Sequence, residues 1–287
     1  MATSNSANRG ILYFAKGDEF VKEATISAHR VKSVMPECPI ALVADQKPSA
    51  DCFDDVILDE TPFLKQDKAR AMQRTPYERT LYLDTDIYLE ESVSEMFEII
   101  DKFDVAIRQD GDLIHIPGDE NEIVDGVPPG VPEFNAGVIL YRDSKSVMDM
   151  LEDWESRCLP EHEWDQRSLR PALYHSDVRI CPLEHRYNCM YRYDNTVSGS
   201  VKVFHGPLLD RERNRVDLDV ARDRLNRSTE FRIHRRYMNT VLVDPPIAFT
   251  TRLRTQIDHF KEVLREDGIR PTLFRTVRFM LNSIDRA

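Results

Sequence analysis

The sequence predicts an α/β fold with a mostly parallel central sheet and helices on both faces. The first observation is a row of short apolar runs, Ile11–Ala15, Pro39–Ala44, Asp55–Leu58 and Thr80–Leu83, separated by segments of helical spacing. Runs of this length alternating with helices suit strands covered on both sides. The second is composition: 41% hydrophobic and 31% charged residues in a chain of 287 allow one large core, or a core with an appendage. The third is that no apolar run approaches the roughly 20 residues of a membrane-spanning helix.

Each element follows from its own residues. Glu19–Val34 carries apolar residues at helical spacing and stops before Pro36, and Leu64–Gln73 is a second helical stretch. Gly111–Glu133 holds four Gly, four Pro and six acidic residues without a sustained period. A loop that long inside a compact domain points to a functional segment, here a lid expected to order over a bound ligand. A strand at Phe134–Tyr141 follows, then helices near Lys145–Arg157 and Trp164–Tyr174, and short strands at Val178–Cys181 and Val201–Phe204.

Charge divides the chain. Residues 211–287 carry 17 Lys and Arg against 11 Asp and Glu, whereas 1–210 carry 22 against 39. The acidic body argues against a nucleic-acid partner. Residues 1–210 are expected to form the main domain and 211–287 a basic, mainly helical extension. Within the extension, Arg270–Ile284 sets Leu273, Phe274, Val277, Met280, Leu281 and Ile284 on one helical face, with Arg270, Arg275 and Arg278 outside it. Such a helix suits an anionic membrane surface, the protein body or a homodimer contact. The five cysteines are scattered and never spaced Cys-x-x-Cys, which argues against a disulfide framework and a structural zinc site. The N-terminal residues lack a secretory apolar stretch. A cytoplasmic location is expected, or a peripheral one at the inner face of the membrane.

Ligands of open α/β sheets gather at the carboxyl ends of strands, and Asp45 and Asp84 stand at such ends. No Gly-rich phosphate loop of the dinucleotide or Walker type is present. In Thr80-Leu-Tyr-Leu-Asp84-Thr-Asp86-Ile-Tyr, an apolar strand delivers two carboxylates at i and i+2. In extended backbone these share a face, with Cα atoms roughly 6–7 Å apart. Two carboxylates so close repel unless a cation lies near them, and hard oxygen ligands suit Mg²⁺ or Mn²⁺ with positions left for substrate phosphates. A solvated acidic turn is the plainer alternative.

Pro76-Tyr-Glu-Arg-Thr-Leu-Tyr-Leu-Asp-Thr-Asp, Phe134-Asn-Ala-Gly-Val, Trp164-Asp-Gln and Phe204-His-Gly, in that order, resemble the motifs of nucleotide-sugar transferases of the GT-A fold, notably glycosyltransferase family 8 and its relatives. The match spans about residues 10–207. The resemblance implies a GT-A type nucleotide-diphospho-sugar transferase fold, a UDP-sugar as the expected donor, and Mn²⁺ or Mg²⁺ as cofactor. It implies Asp84, Asp86 and His205 as metal ligands, with Asp84 also near the donor ribose. Lys68 would be the cation for the diphosphate or donor sugar, Asn135 and Gly137 would line that sugar, and Ala15 would approach the base. Asp165 and Gln166 would flank the anomeric carbon, with Gln166 as a supporting oxygen in a retaining, front-side reaction. The acceptor would be a glycan, glycolipid or lipid-linked sugar.

On the residues alone, His205 also suits a satisfied core histidine, Lys68 a solvated helix position and Asp165 a helix N-cap. The sequence departs from the family where Pro207-Leu-Leu-Asp follows Gly206 with no later Lys-Pro-Trp, and where Arg170 stands in place of Asn. Two other classes compete. A haloacid-dehalogenase-type phosphatase also places Asp-x-Asp after a strand, but there the motif opens the fold. A catalytically inactive nucleotide-sugar-binding scaffold would keep the fold without turnover.

Overall fold

The computed structural model describes residues 8–62, 64, 67–110, 126–158, 166–209, 217–237 and 240–243. The chain divides into two compact units, Met1–Val243 and Asp244–Ala287, and the second lies outside the described residues. The expected amphipathic helix Arg270–Ile284, Asp165, and most of the expected lid (111–125) lie outside them as well.

Strand β1 (Arg9–Ala15) leads through Gly17, at φ 86°, into helix α1 (Asp18–Val34). Asp18 and Glu19 in the first turn of α1 and Lys32 in the last complement the helix dipole. Val21, Ala24, Ala28 and Val31 recur every three or four residues and form its buried stripe. Strands β2 (Ile40–Ala44) and β3 (Asp55–Leu58), helix α2 (Asp67–Met72) and strand β4 (Arg79–Leu83) follow. Next come β5 (Ile87–Leu89), the 3-10 helix Ser94–Asp101, β6 (Val105–Gln109) and β7 (Phe134–Arg142). Helices α3 (Lys145–Arg157) and α4 (Gln166–His175) precede β8 (Ile180–Pro182).

The main sheet has the order β3-β2-β1-β4-β7-β6-β8. Only β7 runs against its neighbours, so the sheet is mostly parallel, as expected. Its strands face two cores. Ile11, Tyr13, Leu42 and Leu81 meet α1 and the 3-10 helix on one side. Leu12, Phe14, Val43 and Tyr82 meet α2, α3 and α4 on the other. Every residue of β1 from Gly10 to Ala15 is buried or nearly so on one of these faces, which explains an apolar run without polar alternation.

Alternation breaks once, in β7. Phe134, Ala136, Ile139 and Tyr141 face one core while Val138 and Leu140 face the other, so the two-residue period slips at Gly137. Pairing with β6 slips at the same place: Ile107 opposes Ile139, but Arg108 opposes Asn135. This irregularity turns the first residues of β7 toward the carboxyl end of β4.

The remaining described strands are β9 (Cys189–Met190), β10 (Asn195–Val197) and β11 (Val203–His205). After them come helix α5 (Leu218–Leu225), β12 (Arg232–Tyr237) and β13 (Thr240–Val243). They build two small sheets, β5-β11-β9 and β10-β12-β13. The sequence alone places the division of the chain at residue 210. In the structure β12 pairs with β10, so residues up to Val243 belong with the first unit, and this part of the basic segment contains strands as well as a helix.

Candidate active site

Three segments meet at the carboxyl end of β4. The strand ends at Leu83, and Asp84, Thr85 and Asp86 form a turn before β5. The two aspartates therefore stand on a turn, not on the extended backbone expected from their spacing. The turn sends Thr85 away to the Glu23 carboxylate of α1, its Oγ1 donating at 2.7 Å. The Asp84 backbone N–H donates to the Gly137 carbonyl at 2.9 Å, which ties the turn to the slipped segment of β7.

His205 arrives through β11. That strand pairs antiparallel with β5, setting His205 opposite Ile87, and the Gly206 N–H donates to the Asp86 carbonyl at 2.9 Å. His205 Nε2 lies 3.4 Å from Asp86 Oδ1. One ligand atom from each of Asp84, Asp86 and His205 falls within 4.8 Å of the others. Packing around Asp86 opposes its ionisation, but His205, and then Arg192 and Lys68, hold its carboxyl below the usual range.

A hydrogen-bond chain sets the histidine tautomer. The Gly137 N–H, which can only donate, points to Asn135 Oδ1 at 3.1 Å. The same oxygen accepts from Asn188 Nδ2 at 2.8 Å, so the Asn188 oxygen must face His205 Nδ1, also at 2.8 Å. His205 Nδ1 therefore carries a hydrogen, and in the neutral ring Nε2 presents a lone pair toward Asp86. A lone pair and a carboxylate oxygen at that separation call for a proton or a cation between them. Histidine ligands of metals are held in this way, with the second ring nitrogen donating to a fixed acceptor. The donor set fits Mn²⁺ or Mg²⁺: two carboxylates, one imidazole and room for further oxygen ligands.

Lys68, on α2, reaches Asp84 with Nζ at 3.0 Å from Oδ1 and 3.1 Å from Oδ2, and Tyr82 Oη donates to Oδ1 at 2.9 Å. Asn135 is buried, and its Nδ2 lies 3.4 Å from Asp110 Oδ2. Gln166, the first described residue of α4, donates from Nε2 to the same Asp110 oxygen at 3.1 Å. Ala15 is buried at the end of β1. The structure thus gathers Asp84, Asp86, His205, Lys68, Asn135 and Gly137 into one neighbourhood and ties Gln166 to it through Asp110.

Sequence reasoning missed Asp110, Asn188 and Glu23. Asp110 directly follows β6, and recognising that strand would have placed a carboxylate at a strand end, as for Asp84. Nothing local marks Asn188 or Glu23, because their roles are set by partners remote in the chain.

No protein-family model matches the sequence, and no curated protein sequence does. Several solved glycosyltransferases resemble the chain in structure. The galactosyltransferase LgtC, in complex with donor and acceptor sugar analogues, is 17% identical over 63% of this chain and 75% of its own, with a TM-score of 0.47. Mouse xyloside xylosyltransferase 1 is 14% identical over 69% of this chain and 97% of its own, with a TM-score of 0.47. The glycosyltransferase GlyE of Streptococcus pneumoniae TIGR4 is 17% identical over 64% of this chain and 47% of its own, with a TM-score of 0.45.

Proposed function

We propose that this chain is a metal-dependent glycosyltransferase that moves a sugar from a nucleotide-diphosphate donor to a carbohydrate or lipid-linked acceptor. The observation that carries the reading is the convergence of Asp84, Asp86 and a tautomer-fixed His205, with Lys68 beside them. Asp84, Asp86 and His205 would hold Mn²⁺ or Mg²⁺, which when bound neutralises charge on a diphosphate leaving group. Lys68 adds a second positive group on the same side. Its contact with Asp84 keeps the ammonium at the site before a donor arrives.

Transfer breaks the bond between the anomeric carbon and the diphosphate oxygen and forms one to an acceptor hydroxyl, whose proton leaves with the diphosphate. The anomeric carbon gains oxocarbenium character on the way. Gln166, with Nε2 held by Asp110, retains Oε1 to support that carbon from the opposite face. Asp165 is its neighbour in the same role. Asn135 and Gly137, on the slipped β7 segment, would line the donor sugar, and Ala15 would approach the base. Retention by front-side attack follows from this assignment, and a UDP-sugar is the donor expected.

A thermal-shift panel of nucleotide sugars with and without Mn²⁺ tests the reading, because a donor stabilises the native state by mass action. At least one UDP-sugar with Mn²⁺ should raise Tm and be hydrolysed slowly, and Asp86→Ala should lose both effects. A metal-dependent shift that survives Asp86→Ala removes the metal centre. A panel with no shift in the wild type removes the transferase, and binding without turnover turns the reading to a scaffold.

A further inference from the structure

A second cluster of ligating side chains lies outside this site. His185 sits in the 3-10 helix His185–Tyr187, Cys189 in β9 and His234 within β12. Cys189 and His234 are completely buried. The two imidazoles stack with centroids 5.2 Å apart and planes 14° from parallel, and their Nε2 atoms approach to 2.9 Å. Cys189 Sγ lies 3.4 Å from His185 Nε2, and the three ligand atoms fall within 4.8 Å of one another.

We propose that His185, Cys189 and His234 bind one zinc ion through Nε2, Sγ and Nε2. Zn–N bonds of about 2.0–2.1 Å and a Zn–S bond of about 2.3 Å set N–N and N–S edges of roughly 3.3 and 3.5 Å in a tetrahedron. The observed edges are 2.9 and 3.4 Å, so an ion enters after a displacement of a few tenths of an ångström. Two imidazoles and a thiol form a nitrogen–sulfur set suited to zinc, whereas the oxygen-rich set at Asp84 and Asp86 suits Mn²⁺ or Mg²⁺. The two centres therefore select different metals.

The surroundings keep both imidazoles uncharged, and the ring that carries its hydrogen on Nε2 in the Nε2–Nε2 contact must shift it to Nδ1 when the ion binds. Burial, with Arg108 and His234, pushes the His185 pKa down to about 2, and burial, with Arg108 and Arg232, pushes that of His234 down to about 4. Burial raises the Cys189 thiol to about 12, against the pull of Arg108 and Arg232. A bound metal ion deprotonates a coordinating thiol, and both guanidiniums favour the resulting thiolate. The same guanidiniums disfavour a bare dication, and the thiolate charge offsets them.

The position of the cluster gives the ion a structural task. Cys189 pairs with Phe204 and Met190 with His205, and Asn188, the residue before Cys189, orients His205. His234 comes from the other small sheet, where it pairs with Asn195. Zinc here staples the two small sheets and fixes the segment that aims the catalytic-site histidine. The proposal does not depend on the reaction performed at that histidine.

The absence of Cys-x-x-Cys spacing hid this cluster, because His185-x₃-Cys189 supplies two ligands and the third lies 45 residues beyond Cys189. Metal analysis of the full-length protein, purified without chelators and reconstituted with zinc before dialysis, decides the matter. About one equivalent of zinc per chain is expected, both in the wild type and in a variant carrying Asp84→Ala and Asp86→Ala. Cys189→Ser and His234→Asn should hold less than about 0.1 equivalent. Cobalt in place of zinc should show a sulfur-to-cobalt charge-transfer band in the folded wild type, which tests ligation by Cys189 even if the variants do not fold. A wild type that retains no zinc, or that binds cobalt without this band, overturns the proposal.

Discussion

A Cβ built on Gly137 would stand 2.3 Å from Cε1 of His205 and 2.9–3.0 Å from both ring nitrogens. Any side chain there collides with the imidazole, so glycine at 137 is a condition for His205 to reach Asp86. Gly137→Ala should displace the ring and weaken Mn²⁺-dependent donor binding by at least tenfold. The stability cost should be limited to the roughly 1–3 kcal/mol of an overpacked core position. Calorimetric titration of donor with and without Mn²⁺, beside chemical denaturation, separates the two effects. Full Mn²⁺-dependent affinity in Gly137→Ala contradicts the assignment of His205 as a ligand.

Asn188 touches the proposed metal ligands through His205 and also holds Asn135. Asn188→Leu removes the acceptor for His205 Nδ1, and losses of about 10–100-fold in metal affinity are typical when such a partner is removed. Asn188→Asp retains an oxygen for Nδ1 while losing the donor to Asn135, so it should recover much of the affinity. Mn²⁺ titration followed by electron paramagnetic resonance reads this difference directly. Equal losses in the two variants would mean that Asn188 fills space and does not set the tautomer.

The parts of this architecture that local chemistry dictates were legible in the residues. Strand β2 is a continuous apolar run because both faces are covered, and α3 was readable to its ends, Lys145 and Arg157. Elements with mixed local signals were not: β6 ends in Arg108 and Gln109, and β5 has three residues. The same division runs through the site. Asp84 and Asp86 stand two residues apart in sequence, and the motif containing His205 has a familiar form. Asn188, Asp110 and Glu23 have no local signature, and Asn188 and Glu23 acquire meaning only when β11 returns to β5 and the loop after it crosses α1.

Glu23 links the two segments that carry the proposed ligands Asp84, Asp86 and His205. It is buried on α1, accepting from Thr85 Oγ1 at 2.7 Å and from the Leu208 N–H at 3.0 Å. Thr85 lies between the two aspartates, and Leu208 is three residues beyond His205. Glu23→Leu removes the acceptor of Thr85 Oγ1 and of the Leu208 and Leu209 N–H groups, which costs on the order of 1–3 kcal/mol for each buried group left unpaired. Glu23→Gln keeps one carbonyl oxygen and should lose less. Both stability and kcat should fall in the order wild type, Gln, Leu, with KM for the donor changing less than kcat if the segments move together. Identical kinetics in the two variants would refute this positioning role.

Helix α2, which carries Lys68, is anchored by ion pairs around Asp59 and Asp67. Asp59 accepts from the Thr61 N–H and Oγ1, and Lys16 Nζ lies 3.4 Å from it. Lys16 also binds Asp67, the first residue of α2. Burial of Asp59 opposes its charge, but Thr61 and then Lys16 outweigh it and hold the carboxyl down at about 2, from an ordinary 3.8. A folded-state pKa below the unfolded one gives stability that is complete above pH 3.8 and lost as pH falls toward about 2. Allowing for screening, with Arg70 and Arg74 partly exposed, this amounts to about 1 kcal/mol. Asp59→Asn should therefore be less stable than the wild type by about that amount at pH 7. The gap should narrow as pH falls from about 4 to about 2, because the wild-type carboxyl then becomes neutral as well. Urea denaturation of both proteins across that range measures it. A gap that stays constant down to the lowest pH would show that Asp59 contributes through packing and that its charge does not hold α2 in place.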